Sequence, residues 1–515
     1  MTPASALHTI SEQAVRAPER IRRRAPRPSV EAPARPAIVH VAAELWPFAF
    51  TGGLGYAVAE LAQEQANQGA DVAIVTPFYQ SVAEKVGSIQ GTSEPFRVHQ
   101  GCADGMVRCL ELQRPQRRGP RVIFVDHPPS FQRAALYGEN GTDYPDNARR
   151  FAFLALGALE FARRTFADRP TVVHAHDWHA SLVPVLLRKS RLSHMPDFRR
   201  MASVLTVHNA GYQGVFKRET LTDLDLPDSL WSSDEMEWYG QLNLLKGALK
   251  YSDVVATVSR THATEVRSDV GGFGLQDVFR SLDDRLVGIR NGIDQHRWDP
   301  RTDPHLTASY GSRDLAGKRR CRRYLQVTSR LPARDDIPLF GMSARLVNQK
   351  GLDLILASRA VREGKAQFVF LGQGEPRYEK ALQALAREQS RHVAVTTSFN
   401  DQAEHRLLAG ADFLMMPSLY EPCGLTQMRA QRYGTLPVAR RVGGLAETVI
   451  DGDTGFLFDD FTAEAFDGAM DRAISLFADP AALRRRIVRA MRSDFSWSTP
   501  LAEYDEVYNR AVAAR

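Results

Sequence analysis

The sequence predicts an α/β protein made of two Rossmann-like domains with the site in the cleft between them. Three observations predict it. The chain has 515 residues, and one hydrophobic core stops growing at roughly 250–300. Short apolar runs alternate with amphipathic stretches of helical period, which is the pattern of parallel βαβ units. That pattern then restarts past the midpoint of the chain. In open parallel sheets ligands bind beyond the carboxyl ends of the strands, and the polar motifs of this sequence fall directly after predicted strands.

In the first half, residues 37–43 read as a buried strand, followed by a Gly-rich turn and a helix over 56–68. Further strands are predicted at 72–75, 122–125, 172–175, 202–208 and 254–258. In the second half, strands are predicted at 338–342, 367–371, 392–396, 413–416 and 436–439, with a helix over 352–363 after the first of them. The junction falls between Phe273 and Leu286. This gives a tail at 1–36, a first domain at 37–280 and a second at 281–515, whose last helix, over 500–514, could pack back on the first domain.

Composition narrows the class. The chain is 43% hydrophobic and 24% charged, as in ordinary globular proteins. It has no apolar run of about 18 residues, so no membrane partner is expected. The net charge of +6 is concentrated in the tail, where Arg16, Arg20, Arg22, Arg23, Arg24, Arg27 and Arg35 alternate with prolines. Such a segment buries too little apolar surface to order itself. It has no apolar core like that of a secretory signal, and Glu12, Glu19 and Glu31 argue against a transit peptide. A solvated tail is favoured over a nucleic-acid-binding one, so no nucleic-acid partner is expected. The four cysteines, Cys102, Cys109, Cys321 and Cys423, have no metal-ligand spacing, and a reducing cytoplasm fits them.

Five stretches carry the chemistry. Thr51-Gly52-Gly53-Leu54-Gly55 opens a helix, and suits either close approach to an anion or tight strand-to-helix packing. His174-Ala175-His176-Asp177-Trp178-His179 offers imidazoles at alternate positions, and polyol hydrogen bonding is favoured there over a metal, with a core role satisfied by hydrogen bonds open for at least one of the three. Thr206 to Gly214 brings His208, Asn209, Tyr212 and Gln213 to a strand end, for sugar hydroxyls or for backbone turns. Arg345-Leu346-Val347-Asn348-Gln349-Lys350-Gly351 sets two cations around a strand-to-helix loop, where they suit a diphosphate or solvent. Glu421-Pro422-Cys423-Gly424-Leu425-Thr426-Gln427 presents a carboxylate beside backbone N–H groups at a helix start. Cys423 has no local histidine and reads as a small buried thiol.

Taken in order with Asn243 to Gly247, Arg290 to Asp294 and Arg441 to Leu445, these stretches resemble the bacterial glycogen synthases and plant starch synthases, retaining glycosyltransferases of the GT-B fold. The resemblance runs from Ile38 to the C-terminus. It implies transfer of glucose from ADP-glucose, less often UDP-glucose, to the non-reducing end of an α-1,4-glucan, without metal or cofactor. It implies that Arg345 and Lys350 hold the diphosphate, that Glu421 is the essential carboxylate, and that His176 contacts the transferred glucose. It further implies Asp146 at the donor site, Tyr378 against the adenine, and Gly52, Gly53, Asn209, Gly424, Leu425 and Thr426 among the binding groups. Two departures stand out. Phe50 and Tyr56 replace a lysine and an aspartate of the family's glycine loop, and suit either flat faces offered to sugar rings or packing against neighbouring loops. Arg429, eight residues after Glu421, replaces the second glutamate of some related families. The altered loop keeps open two alternatives, another donor or acceptor, or a weakly active glucan-binding homologue.

Overall fold

The computed structural model describes residues 35–86, 89–91, 93–113, 119–139, 141–398 and 400–515, so all but the last two residues of the expected tail lie outside the described residues. Two parallel sheets organise the chain. Across the first sheet run Leu286–Gly288, Val254–Thr257, Ala202–Val207, Thr171–His176, Ala37–Val41, Val72–Pro77 and Arg121–Asp126, all parallel. Across the second run Val393–Thr396, Gln367–Leu371, Leu339–Ser343, Phe413–Met416, Leu436–Arg440 and Phe456–Phe458, also parallel. The central strands are buried along their whole length. That is why they read as continuous apolar runs, since helices cover both faces.

The structure adds elements to the predicted set. Phe96–Gln100 and Ala103–Leu112 form an antiparallel extension on Arg121–Asp126. The first sheet also takes Leu286–Gly288, past the sequence boundary at 280. The helix predicted over 352–363 is broken into Leu352–Ala357 and Arg359–Arg362, because the Ser358 hydroxyl caps the second piece by accepting from the Val361 N–H.

The chain crosses between the lobes twice, at one place. The Ile293 N–H donates to the Phe495 carbonyl at 2.8 Å. Glu60, on the helix Gly53–Asn67 of the first lobe, accepts from the Asp294 N–H at 2.9 Å and from Trp497 Nε1 at 3.3 Å. Past this crossing the last helix, Ser498–Ala513, returns to the first lobe, where Leu501, Tyr504, Val507 and Tyr508 join its core. Gly292 is fixed by close approach, since a Cβ there would lie 2.7 Å from Trp497 Cγ and 2.8 Å from its backbone nitrogen. Gly292→Ala is therefore expected to cost about 1–3 kcal/mol by overpacking the crossing, read as a lower midpoint in chemical denaturation. An unchanged midpoint would show that the crossing yields.

Candidate active site

The carboxyl ends of the two sheets face one another across a cavity of about 1120 Å³. From the second lobe come Arg345, Lys350, Glu421, Gly424, Leu425 and Thr426, and from the first come Gly52, Gly53 and Asn209, all on its wall. Lys350 is held by local geometry. It ends a short 3-10 turn, and Gly351 follows with φ of +69°, where an added Cβ would meet the Pro417 carbonyl at 1.9 Å. That left-handed position starts the helix Leu352–Ala357.

Lys350 Nζ donates to Glu421 Oε2 at 2.6 Å, and the Ser418 hydroxyl donates to the same oxygen at 2.9 Å. The loop lysine is thus ion-paired with the carboxylate rather than simply solvated, and Glu421 has the cationic partner that its isolation in the sequence lacked. Arg345 is exposed, and its guanidinium makes no hydrogen bond or ion pair among the described residues. An anion entering the cavity therefore meets one unengaged guanidinium and one ammonium shared with a carboxylate.

Three residues expected at the site are elsewhere. His176 is 1% exposed and stands behind the wall, with its ring nitrogens on His40 and His208. Asp146 precedes the helix Asn147–Thr165 and pairs with Arg133 at 2.5 Å, off the cavity. Tyr378 is 2% exposed, and its hydroxyl donates to Asp353 at 2.9 Å. It is locked into the lobe and not presented to a base.

The structure substitutes other groups. Asp177 and His208 are on the wall where His176 was expected. The strand Thr171–His176 is buried to its last residue, so Asp177 is the first residue that can reach beyond the sheet. Strand length was the available signal. Asp177 adopts φ of +56°, a strained conformation for a residue with a side chain. Its Oδ1 accepts from the backbone N–H groups of His208 at 2.6 Å and Asn209 at 3.3 Å. Burial pushes its carboxyl up to about 7 and His208 down to about 3. At neutral pH His208 is therefore a neutral hydrogen-bonding group. Glu44 shapes the glycine loop, accepting from the Thr51 N–H at 2.9 Å, the Thr51 hydroxyl at 2.7 Å and the Tyr137 hydroxyl at 2.8 Å.

The histidines also come close enough for a metal to be considered, since ligand atoms of His40, His174 and His176 lie within 4.8 Å of one another. His40 Nδ1 and His176 Nε2 are 2.9 Å apart. Two nitrogens on one tetrahedral zinc stand about 3.3 Å apart at ordinary bond lengths, so the spacing is that of a hydrogen bond.

For Phe50 and Tyr56 the structure shows the packing alternative. Both border the cavity, but they meet each other edge to face at 5.2 Å. Tyr56 is 5% exposed, and its hydroxyl donates to Asp401 of the second lobe at 3.1 Å. The Arg429 guanidinium lies 4.6 Å from the Tyr56 ring and 4.3 Å from that of Trp298. Phe50 and Tyr56, the two loop positions that depart from the family pattern, are therefore in contact, and Tyr56 packs between the lobes rather than offering a face to a sugar. The loop keeps Gly52 and Gly53 on the wall.

Comparison with known proteins decides the family. Residues 37–281 match the starch synthase catalytic domain, and 328–493 match glycosyl transferases group 1. The chain is 40% identical over 486 residues to a glycogen synthase of Anaeromyxobacter dehalogenans, spanning 93% of this chain and 100% of that one. The chain belongs to the glycogen and starch synthase family. A glycogen synthase 2 of Geobacter sulfurreducens is 38% identical over 93% of this chain and 99% of its own. The catalytic domain of starch synthase IV from Arabidopsis thaliana, bound to ADP and acarbose, superposes with a TM-score of 0.85 at 31% identity, covering 93% of this chain and all of that one. A sucrose-phosphate synthase from Thermosynechococcus elongatus, at 18% identity, 93% and 100% coverage and a TM-score of 0.58, shares the fold. As a member of the family this protein is a GT-B glycosyltransferase that performs glycogen synthase-like glucosyl transfer, and the non-catalytic alternative is not favoured.

The raised carboxyl of Asp177 has a measurable consequence. Its folded-state value, about 7, lies above the ordinary 3.8. The folded protein holds this proton more tightly than the unfolded chain, so the associated stability is present below about pH 4 and lost as pH rises towards 7. Asp177→Asn is expected to be more stable than wild type at pH 8 by on the order of 2–4 kcal/mol, with the gap closing at acid pH. Glu60 titrates near 7 as well, so the difference between variant and wild type isolates Asp177. A gap independent of pH would refute the assignment.

Proposed function

We propose that this synthase transfers glucose from ADP-glucose to the non-reducing 4-hydroxyl of an α-1,4-glucan with retention of configuration. The observation that carries the reading is the facing of Arg345, Lys350 and Glu421 against Asp177, His208 and Asn209 across one cavity. The family membership and the ADP and acarbose held by the starch synthase IV neighbour support the donor and the acceptor class. The leaving group is a nucleoside diphosphate, whose charge grows as the C1–O bond breaks. Arg345 and Lys350 are placed to stabilise it, a role typically worth about 3–4 kcal/mol per donor. The acceptor oxygen bonds to C1 on the face the phosphate leaves, and the departing phosphate oxygen takes the hydroxyl proton. No protein base is required for that step.

With cations at the diphosphate, the transfer needs neither a metal nor a cofactor. We place the reaction in the cytoplasm. Four cysteines are too few for a disulfide scaffold, as suits a reducing compartment, and no described helix is long and apolar enough to cross a membrane.

The direct test supplies purified protein with glycogen and either ADP-glucose or UDP-glucose, with and without EDTA, and measures nucleotide release. ADP release that is insensitive to EDTA is expected. Activity lost to chelation and restored by magnesium would contradict the reading of the phosphate site. Lys350→Ala is expected to lower kcat/KM for the donor about 30- to 1000-fold. It leaves Glu421 with only the Ser418 hydroxyl of its two side-chain partners, so a lower melting temperature accompanies the kinetic loss. A near-normal kcat/KM would remove Lys350 from the diphosphate grip.

A further inference from the structure

Behind His208 runs a chain of buried hydrogen bonds to the last helix. Gln65 Nε2 donates to the Tyr508 hydroxyl at 2.8 Å, and Gln65 Oε1 faces His40 Nε2 at 2.7 Å. His40 Nδ1 meets His176 Nε2 at 2.9 Å, and His176 Nδ1 meets His208 Nε2 at 3.0 Å. Gln65, His40 and His176 are 4%, 0% and 1% exposed.

A neutral imidazole has one N–H and one lone pair, so a direction imposed at one end passes to the other. The amide oxygen of Gln65 can only accept, so His40 carries its proton on Nε2. Its bare Nδ1 then takes the N–H of His176 Nε2, and the bare Nδ1 of His176 takes the N–H of His208 Nε2. On the other branch the Tyr508 hydroxyl donates to His174 Nδ1 at 3.0 Å, and His174 Nε2 donates to the Thr206 hydroxyl at 2.7 Å. Both branches close without conflict. Burial holds His40 down to about 4 and His174 and His176 well below the ordinary value, which keeps the rings neutral.

We propose that Gln65, His40, His176 and Tyr508 are positioning residues that fix the proton of His208 on Nε2, so that Nδ1 accepts a hydroxyl of the sugar bound in the cavity. His208 is on the wall, and its Nδ1 makes no hydrogen bond among the described residues. A proton on Nδ1 would reverse the polarity, so that the ring would donate and the sugar hydroxyl would have to turn and accept. The sugar as ligand rests on the proposed function, whereas the tautomer does not, so the two fail separately.

The test reads both. Long-range 15N–1H spectra of histidine-labelled full-length protein give the tautomer of His208, with its signal assigned by its loss in His208→Gln. In wild type the proton is on Nε2. Gln65→Glu keeps an acceptor against His40, so His208 stays unchanged and kcat stays within about threefold. Gln65→Met removes the direction, so His208 populates both tautomers. Its kcat falls about five- to tenfold, the kinetic equivalent of one misdirected hydrogen bond. Tyr508→Phe keeps the ring, frees the amide to turn, and gives the same mixture if Gln65→Met does not fold. A His208 that stays protonated on Nε2 in every folded variant lacking the Gln65 amide or the Tyr508 hydroxyl would overturn the relay. So would a Gln65→Glu protein as impaired as Gln65→Met. An unmixed tautomer overturns the relay alone, whereas inactivity of wild type with every nucleotide sugar overturns the functional reading alone.

Discussion

The site depends on one constraint, the double crossing of the chain at Gly292 and Trp497. Two parallel sheets can face each other in many orientations, and only some bring both sets of strand ends to one cavity. Here both crossings meet at one carboxylate, Glu60, which binds the backbone of one and the indole of the other. That meeting point fixes the position of the loop ending at Lys350 relative to the loops after His176 and Val207.

The two walls differ in kind. The second lobe supplies permanent charge, with Arg345 and the Lys350–Glu421 pair. The first supplies, beside the carboxylates of Glu44 and Asp143, two groups whose charge burial suppresses, His208, held down to about 3, and Asp177, whose carboxyl is raised to about 7. A diphosphate is gripped best by fixed cations, whereas neutral sugar hydroxyls need oriented donors and acceptors. The division matches the two parts of a nucleotide sugar.

Much of this was legible in the sequence. The central strands are buried on both faces and so appear as apolar runs, and the glycines and cations after them stand out by position. The antiparallel strands at 96–112 escaped because they alternate buried and exposed residues and carry charge. Leu286–Gly288 escaped because three residues give too short a pattern. What the sequence did not show at the site was registration and pairing. His176 and Asp177 are neighbours in sequence, but the strand ends between them, so one is core and the other is wall. Asp146 is taken by Arg133, thirteen residues earlier, and Tyr378 by Asp353, twenty-five earlier. Tyr56 and Arg429 are far apart in sequence, and only the folded chain shows that the Tyr56 ring packs on the Arg429 guanidinium.

The return of the final helix bears on how the protein is made. Tyr504, Val507 and Tyr508 complete a core whose first strand begins at Ala37, so the lobe synthesised first is finished last. During translation its sheet must wait, with one helix missing, until the whole second lobe and the C-terminal segment have left the ribosome. Domains generally fold as units in the order they emerge. This chain cannot follow that order to completion, and an unfinished first lobe with exposed apolar surface is the species that a chaperone would meet.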